Sequence, residues 1–317
     1  MRISMIVRKI IGVFPMIFLI SLLCFTMIYF APGDAAKHLL VTKSGRDRFS
    51  AEDIADFSDR VGIQTDIVRA YKEWVSNLLK GDMGDSLLYS EPVFDVVIRH
   101  ADNTLRLVAI AFMVYLASGV FLGLSSGMKP GGFIDRMTHF WATVTLSLPQ
   151  FWISMLVLYL AAKFLPGLPV LYFSGPVSLI LPGTLMGLLF SGNLAVLLRD
   201  RVLRIYEEEF IACAKAMGIS GPDILWRHTL SNALPTIISV SALDLSFMLM
   251  GSLALEKIFS IPGLGQLFLK AVSIKDYFLI AGCTLWFCLS VSVCNLLAEI
   301  LYPLIDRRLI CSRSEAS

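Results

Sequence analysis

The sequence predicts an all-α, polytopic membrane protein with six transmembrane helices, and three observations carry that expectation. Of its 317 residues, 56 % are hydrophobic and only 16 % charged, whereas a soluble domain is about half apolar and about a quarter charged. Windows of roughly 20 residues with almost no charge, each able to cross about 30 Å of hydrocarbon as helix, recur near 10–31, 105–124, 140–162, 179–198, 236–255 and 278–301. Lys and Arg are unevenly shared among the loops between them.

The first window follows Arg2, Arg8 and Lys9. Its apolar run is too long for a secretion signal and lacks a small-x-small cleavage site before Pro32, so it reads as a retained anchor. Orientation follows from the short loops, because basic residues near spans resist translocation. The N-terminus, the 125–139 loop (Lys129, Arg136), the 199–234 loop (Arg199, Arg201, Arg204, Lys215, Arg227) and the tail (Arg307, Arg308, Arg313) outweigh Lys163, Lys257, Lys270 and Lys275 on the other side. Both termini are therefore expected in the cytoplasm. The chain divides into a cytoplasmic N-terminus with the first span (1–31), an extracytoplasmic segment (32–103), a transmembrane core of spans two to six (104–301) containing the cytoplasmic loop 199–234, and a cytoplasmic tail (302–317).

The outer segment predicts an amphipathic helical subdomain. Ser50-Ala-Glu-Asp53 resembles a capping box, and Ile67, Tyr71, Trp74, Val75 and Leu78 recur at helical spacing beside Arg69, Lys72 and Glu73. Such a stripe either shields the spans or receives a soluble partner. The net charge of +2 and the lack of a basic stripe interleaved with aromatics exclude nucleic acid as a partner. Cys24, Cys283, Cys288 and Cys294 lie in spans, and Cys213 and Cys311 face the reducing cytoplasm, so these read as packing thiols without a disulfide framework.

Between the fourth and fifth windows lies EEEFIACAKAMGIS, residues 207–220. Phe210, Ala214 and Met217 fall on one helical face, while Ala212, Cys213 and Ala216 keep the rod thin enough to enter a groove. Gly218 suits the left-handed residue that ends a helix, and Ser220 with Pro222 and Asp223 starts a second one. A hairpin lying on the bilayer surface is the other reading. The loop's acidic residues offset its basic ones, which fits a protein groove better than an anionic membrane.

Phe210-Ile-Ala-Cys-Ala-Lys-Ala-Met-Gly218 followed by Arg227-His-Thr-Leu-Ser-Asn-Ala-Leu-Pro235 resembles the Glu-Ala-Ala loop of ATP-binding-cassette importer permeases of the dipeptide, oligopeptide and nickel branch. Ala31-Pro-Gly-Asp34, Gly81-Asp-Met-Gly-Asp-Ser86, Ser147-Leu-Pro-Gln-Phe-Trp152 and Glu256-Lys-Ile-Phe-Ser-Ile-Pro-Gly-Leu-Gly265 extend the resemblance along the chain. Ala212 stands where the loop's name-giving glutamate would be, Ala35 replaces a usual proline, Asp102 sits where a proline often precedes the second span, and Pro235 comes about one residue early. The resemblance implies a bacterial inner-membrane subunit that pairs with a second, similar permease. It also implies two cytoplasmic ATPases and an external binding protein that delivers a peptide or nickel-type solute. Phe210, Ala212, Cys213, Ala214, Met217, Gly218, Pro222 and Asp223 would form the helix on which the ATPases push. The chain carries no Gly-x-x-x-x-Gly-Lys-Ser/Thr loop, so it is not expected to hydrolyse ATP, and no cofactor is implied.

Asp244 is the conspicuous charge within a span. It costs at least about 2.5 kcal/mol on insertion scales, so it should face a pathway or find internal partners. Asn193 and Asn295 are expected to bond between helices, with Asn193 also a pathway candidate, and Glu299 to reach Arg307 or water. Pro149, Pro182 with Gly183, and Ser191-Gly192-Asn193 are expected to loosen their spans. A secondary transporter or channel is the alternative, but neither paired inverted repeats nor several intramembrane acids and bases are evident. A membrane hydrolase would need a base at span depth, whereas His38, His100, His139 and His228 lie in loops or at span edges. No catalytic set is therefore expected, and no clustered His and Cys offers a metal cage.

Overall fold

The computed structural model describes residues 2–30, 67–164 and 175–305. The Ser50-Ala-Glu-Asp53 box, Ala31-Pro-Gly-Asp34, Ala35, His38, Cys311 and the basic tail lie outside the described residues, as does the side chain of Glu299. Within them the protein is helical, and the only strand-like feature described is a single bridge between Asp85 and Pro92.

The helices are α1 (Arg2–Tyr29), α2 (Ile67–Leu79), α3 (Val93–Met128), α4 (Phe133–Ser147), α5 (Gln150–Phe164), α6 (Ile180–Tyr206), α7 (Glu209–Ala216), α8 (Leu230–Ile258), α9 (Leu264–Ile274) and α10 (Tyr277–Ile305). A 3-10 turn, Pro176–Leu179, leads into α6; a helical turn, Gly221–Asp223, and a π-helical segment, Ile224–Thr229, lead into α8. Four stretches among the described residues are long and apolar enough to span a bilayer: Val93–Met128, Pro176–Tyr206, Gly221–Ile258 and Tyr277–Leu297. The apolar part of α1, Pro15–Tyr29, is shorter.

The third predicted window is not one rod. It is broken into α4 and α5, which meet at 103°. The cause is local: Pro149 disfavours the helical conformation in the residue before it, and Leu148 is extended, with φ −96° and ψ 135°. Pro149 O then accepts from the Trp152 N–H at 3.0 Å, opening α5. The expected break at Ser191-Gly192-Asn193 is absent. The α6 helix runs unbroken from 180 to 206, and Pro182 sits in its first turn, where a proline does least harm to helical bonding.

The chain forms two compact units, residues 1–104 with 262–292, and residues 105–261 with 293–317. In the first, Val93, Val96, Val97 and Ala101 of α3 pack with Leu264, Leu267 and Ala271 of α9 and with Leu279 and Cys283 of α10. Asp276, fully buried, accepts from Ser86 Oγ at 2.8 Å, from the N–H groups of Leu87 and Leu88 at 2.8 and 3.2 Å, and from Leu279 N–H at 3.1 Å. One carboxylate thus caps α10 and fastens the Gly81-Asp-Met-Gly-Asp-Ser86 turn. The α2 stripe packs along α1 itself: the Tyr71 ring lies 5.3 Å from Phe25 and 6.1 Å from Phe18, its hydroxyl is 2.7 Å from Ser21 Oγ, and Trp74 reaches Phe25.

In the second unit α3 and α6 pack through glycines one turn apart. A Cβ on Gly119, Gly123 or Gly127 would collide with Leu194, Leu198 or Val202 respectively, and one on Gly183 or Gly187 with Ile110 or the backbone of Ala111. Gly183 therefore serves close packing, not the loosening expected of it. Small residues let helix backbones approach where lipid removes the hydrophobic driving force between helices. Gly123→Leu should overfill this seam, at about 1 to 3 kcal/mol, and lower the melting temperature of the detergent-extracted protein. Gly221→Ala, where an added Cβ meets nothing within 4 Å, should leave that temperature unchanged.

Candidate functional site

The loop singled out in the sequence folds as a helix, a tight turn and a second helix. Gly218, at φ +75°, takes the left-handed position. Its N–H donates to Lys215 O at 3.0 Å and the Ile219 N–H to Ala214 O at 3.1 Å, the paired bonds of a Schellman end. Ser220 then caps the next turn, accepting from the Asp223 N–H at 3.4 Å and donating to the Asp223 carboxylate at 2.6 Å, with Pro222 in the first turn.

One face of α7 is packed. Ile211 and Ala214 are buried with Leu124, Leu198, Val202, Ile205, Ile224, Ala233 and Ile237. Phe210 is half-buried, its ring 6.3 Å from His228. The opposite face is exposed: Ala212, Cys213, Ala216, Met217, Gly218, Pro222 and Asp223. The structure therefore brings seven of the eight predicted loop residues to or near the surface and turns Ala214 inward. Helical arithmetic placed Met217 beside Ala214, but α7 ends at Ala216 and Met217 leaves the helical path at φ −77°, ψ 0°, 72 % exposed. The loop is rooted at both ends. Lys215 Nζ lies 5.1 Å from the Tyr206 ring, and Arg201 donates to Asn232 O at 3.3 Å.

Asp244 sits 4 % exposed inside its own unit. Its carboxylate accepts from the Tyr115 hydroxyl at 2.8 Å and from the Asn193 amide at 3.1 and 3.2 Å, so α3, α6 and α8 meet there. Among the described residues no Lys, Arg or His pairs with it. Neutral donors offset the cost of burying a carboxylate without needing a cation. Asn295 also bonds between helices, accepting from Ser246 Oγ at 3.3 Å. Among the described residues no group of three or more His, Cys, Asp and Glu is arranged to hold a metal.

Sequence reasoning missed Asp135, which is 4 % exposed at the start of α4. It accepts from Ser126 Oγ at 2.5 Å, Gly131 N–H at 2.7 Å, and Arg199 through Nε at 2.5 Å and Nη2 at 3.1 Å. In the sequence Arg199 signals only topology. An acidic residue in a helix's first turn was the available signal, and it did not name the partner.

Residues 119–310 match the sequence profile described as Binding-protein-dependent transport system inner membrane component. The chain belongs to this family. Residues 2–117 match the companion profile, Binding-prot-dependent transport system membrane comp, N-term. The permease is 28 % identical to a Brucella melitensis biotype 1 protein named as a peptide transport system permease, over 97 % of this chain and 99 % of that one. It is 27 % identical to the glutathione transport system permease protein GsiC of Escherichia coli O6:H1, covering 95 % of this chain and 97 % of that one. It is 28 % identical to the metal-staphylopine import system permease protein CntB of Staphylococcus aureus, covering 96 % and 97 %. Among solved structures, a chain of the MetNI methionine ABC transporter aligns with TM-score 0.55 and 17 % identity, over 68 % of this permease and 99 % of that chain; at that identity the likeness speaks for the fold.

The protein is thus a multi-pass inner-membrane permease subunit of an ATP-binding-cassette importer, a transport component and not an enzyme. Its family works with ATPase subunits and a substrate-binding protein. The secondary-transporter and channel readings are set aside on that ground.

Proposed function

We propose that the permease forms half of a translocation pathway with a second, homologous permease. Each half would present one loop to one of two ATPases, and the solute would be a small peptide or a nickel-type metal complex handed over by an external binding protein. Six spans with both termini in the cytoplasm remain the proposed topology, α4 and α5 together making the third. Residues 32–103 would lie outside and 199–234 inside. The observation that carries the coupling role is the two-faced α7. Its inner side is locked by Ile211 and Ala214, and its outer side offers a thin surface of Ala212, Cys213 and Ala216 followed by Met217 and the turn to Asp223. A helix packed on one side and slim on the other can both enter a groove and pass on a push.

The substrate class is supported by the relatives, whose names speak of peptides, glutathione and metal-staphylopine. For Asp244 and Asn193 the burial and mutual bonding favour a tie within the subunit over direct contact with substrate.

Purifying the permease from its native membrane with its associated proteins tests the assembly. The expected result is one further permease and ATPase subunits in equal copy to the permeases, with a binding protein retaining a peptide or metal chelate. A permease that purifies without ATPases and transports alone in liposomes would overturn the reading. Topology has a separate check: native Cys213 should resist a membrane-impermeant thiol reagent applied to intact cells and react in inverted vesicles stripped of ATPases, and the reverse pattern would invert the orientation.

A further inference from the structure

The strongest unassigned feature is the ion pair of buried Asp135 and partly buried Arg199. Asp135 is held by four donors from three places: Ser126 near the end of α3, Gly131 in the α3–α4 turn, and the two arms of Arg199 on α6. His139 Nε2 lies 3.7 Å away, and Arg199 also bonds Asp200 at 3.0 Å. The Arg199 side chain is 16 % exposed. Gly131 takes φ +75°, which turns its N–H toward the carboxylate. Beside the pair, Gly127 meets Val202 and the Arg199 carbonyl so closely that a Cβ there would collide.

A buried carboxylate gripped by a planar guanidinium fork is selective in direction, which a single point charge is not. Replacing such a pair by apolar residues is often neutral for stability, so its main effect here is on geometry. The location gives that geometry a use. From Arg199, α6 continues to Val202 and Ile205, which share one buried cluster with Ile211 and Ala214 of α7. From Asp135, α4 runs to the Leu148-Pro149 corner, held to α6 on the way by Trp141 Nε1 donating to Ser191 Oγ at 3.2 Å and by the close approach of Gly192 to Ala142.

We propose that the Asp135–Arg199 pair is a positioning clamp that makes α4 move with α7, passing displacement of the loop to the Pro149 corner. The proposal rests on the coupling reading of α7. Without the fork, the first turn of α4, which carries Asp135, could slip against α6 ahead of the Trp141–Ser191 tie.

The test uses the whole transporter complex in lipid, with nitroxide labels on cysteines placed at Glu209, at the start of α7 and outside its thin face, and Met137 of α4, both exposed, and the native cysteines replaced by serine or alanine. The distance between labels is measured by pulsed electron resonance without nucleotide and after trapping with ATP and vanadate. With the native pair the distance should be the same in both states, because the two helices travel together. With Arg199→Lys, which keeps a cation beside Asp135 but removes the fork, trapping should shift it by more than about 2 Å, the scale on which packed helices slide. Asp135→Asn should do the same; if that variant fails to assemble, Arg199→Lys carries the test alone. A shift on trapping in the native pair, or Arg199→Lys behaving as native in both states, overturns the clamp. The coupling reading is checked separately: Ala216→Trp should lower the ATPase recovered with the permease, and equal recovery marks failure of that reading, separately from the distance.

Discussion

Asp244→Leu should nearly abolish the folded permease. The change leaves the Tyr115 hydroxyl, on a side chain with no exposed surface, and the Asn193 amide without their acceptor. Each stranded group costs about 1 to 3 kcal/mol, so the two together imply at least a tenfold loss of assembled complex, since about 1.4 kcal/mol is tenfold. Asp244→Asn keeps a carbonyl oxygen that can accept from Tyr115, and it should retain most of the yield. Uptake per assembled complex should then be equal for neutral and cationic peptides. Normal assembly of Asp244→Asn with selective loss of cationic substrates would instead put the carboxylate in the pathway. Purified yield measured beside uptake separates the two outcomes.

Ala216→Trp should leave the permease folded and uncouple it. The residue lies on the exposed face of α7, and a tryptophan there overfills a groove shaped for a thin helix. Overpacking of about 1 to 3 kcal/mol weakens docking by roughly 5- to 150-fold. ATPase recovered with the permease should fall accordingly while permease yield stays normal. Ala214→Trp should behave differently: Ala214 is 2 % exposed among Leu198, Ile205 and Ile224, and a large ring there should damage the subunit itself. Equal ATPase recovery from Ala216→Trp and the native permease would argue against docking through this face.

The helices were legible because lipid demands long uncharged runs, and a run of about 20 residues leaves few other readings. The break at Pro149 was legible as a proline, but not as a 103° corner, because a proline marks where a helix stops while the angle follows from the extended backbone that Leu148 takes. Ser191-Gly192-Asn193 looked like a weak point in a single sequence. In the fold each residue has a neighbour: Trp141 for Ser191, Ala142 for Gly192 and Asp244 for Asn193.

Asp244 announced itself by its isolation among apolar residues, yet its partners lie 129 and 51 positions away, on helices whose rotation a one-dimensional pattern does not fix. Asp135 and Arg199 were hidden for the opposite reason. Charges beside a loop are expected to be solvated, and only the folded chain shows that Asp135 is buried and bonded to Arg199, 64 positions away. The loop itself was legible from its Gly218 and Ser220 signals, which act locally, while the outward turn of Met217 depended on where α7 stops.

The central claim, that the outer face of α7 is the surface on which ATPases act, is tested most directly by native Cys213, which lies on that face and is exposed in the permease. In a variant whose other cysteines are replaced, its rate of reaction with a soluble maleimide is measured in the purified complex and again after the ATPases are stripped away. The account predicts at least a tenfold slower reaction in the complex, with the full rate returning on stripping, because a docked helix withdraws its contact face from solvent. Equal rates in the two states would contradict it.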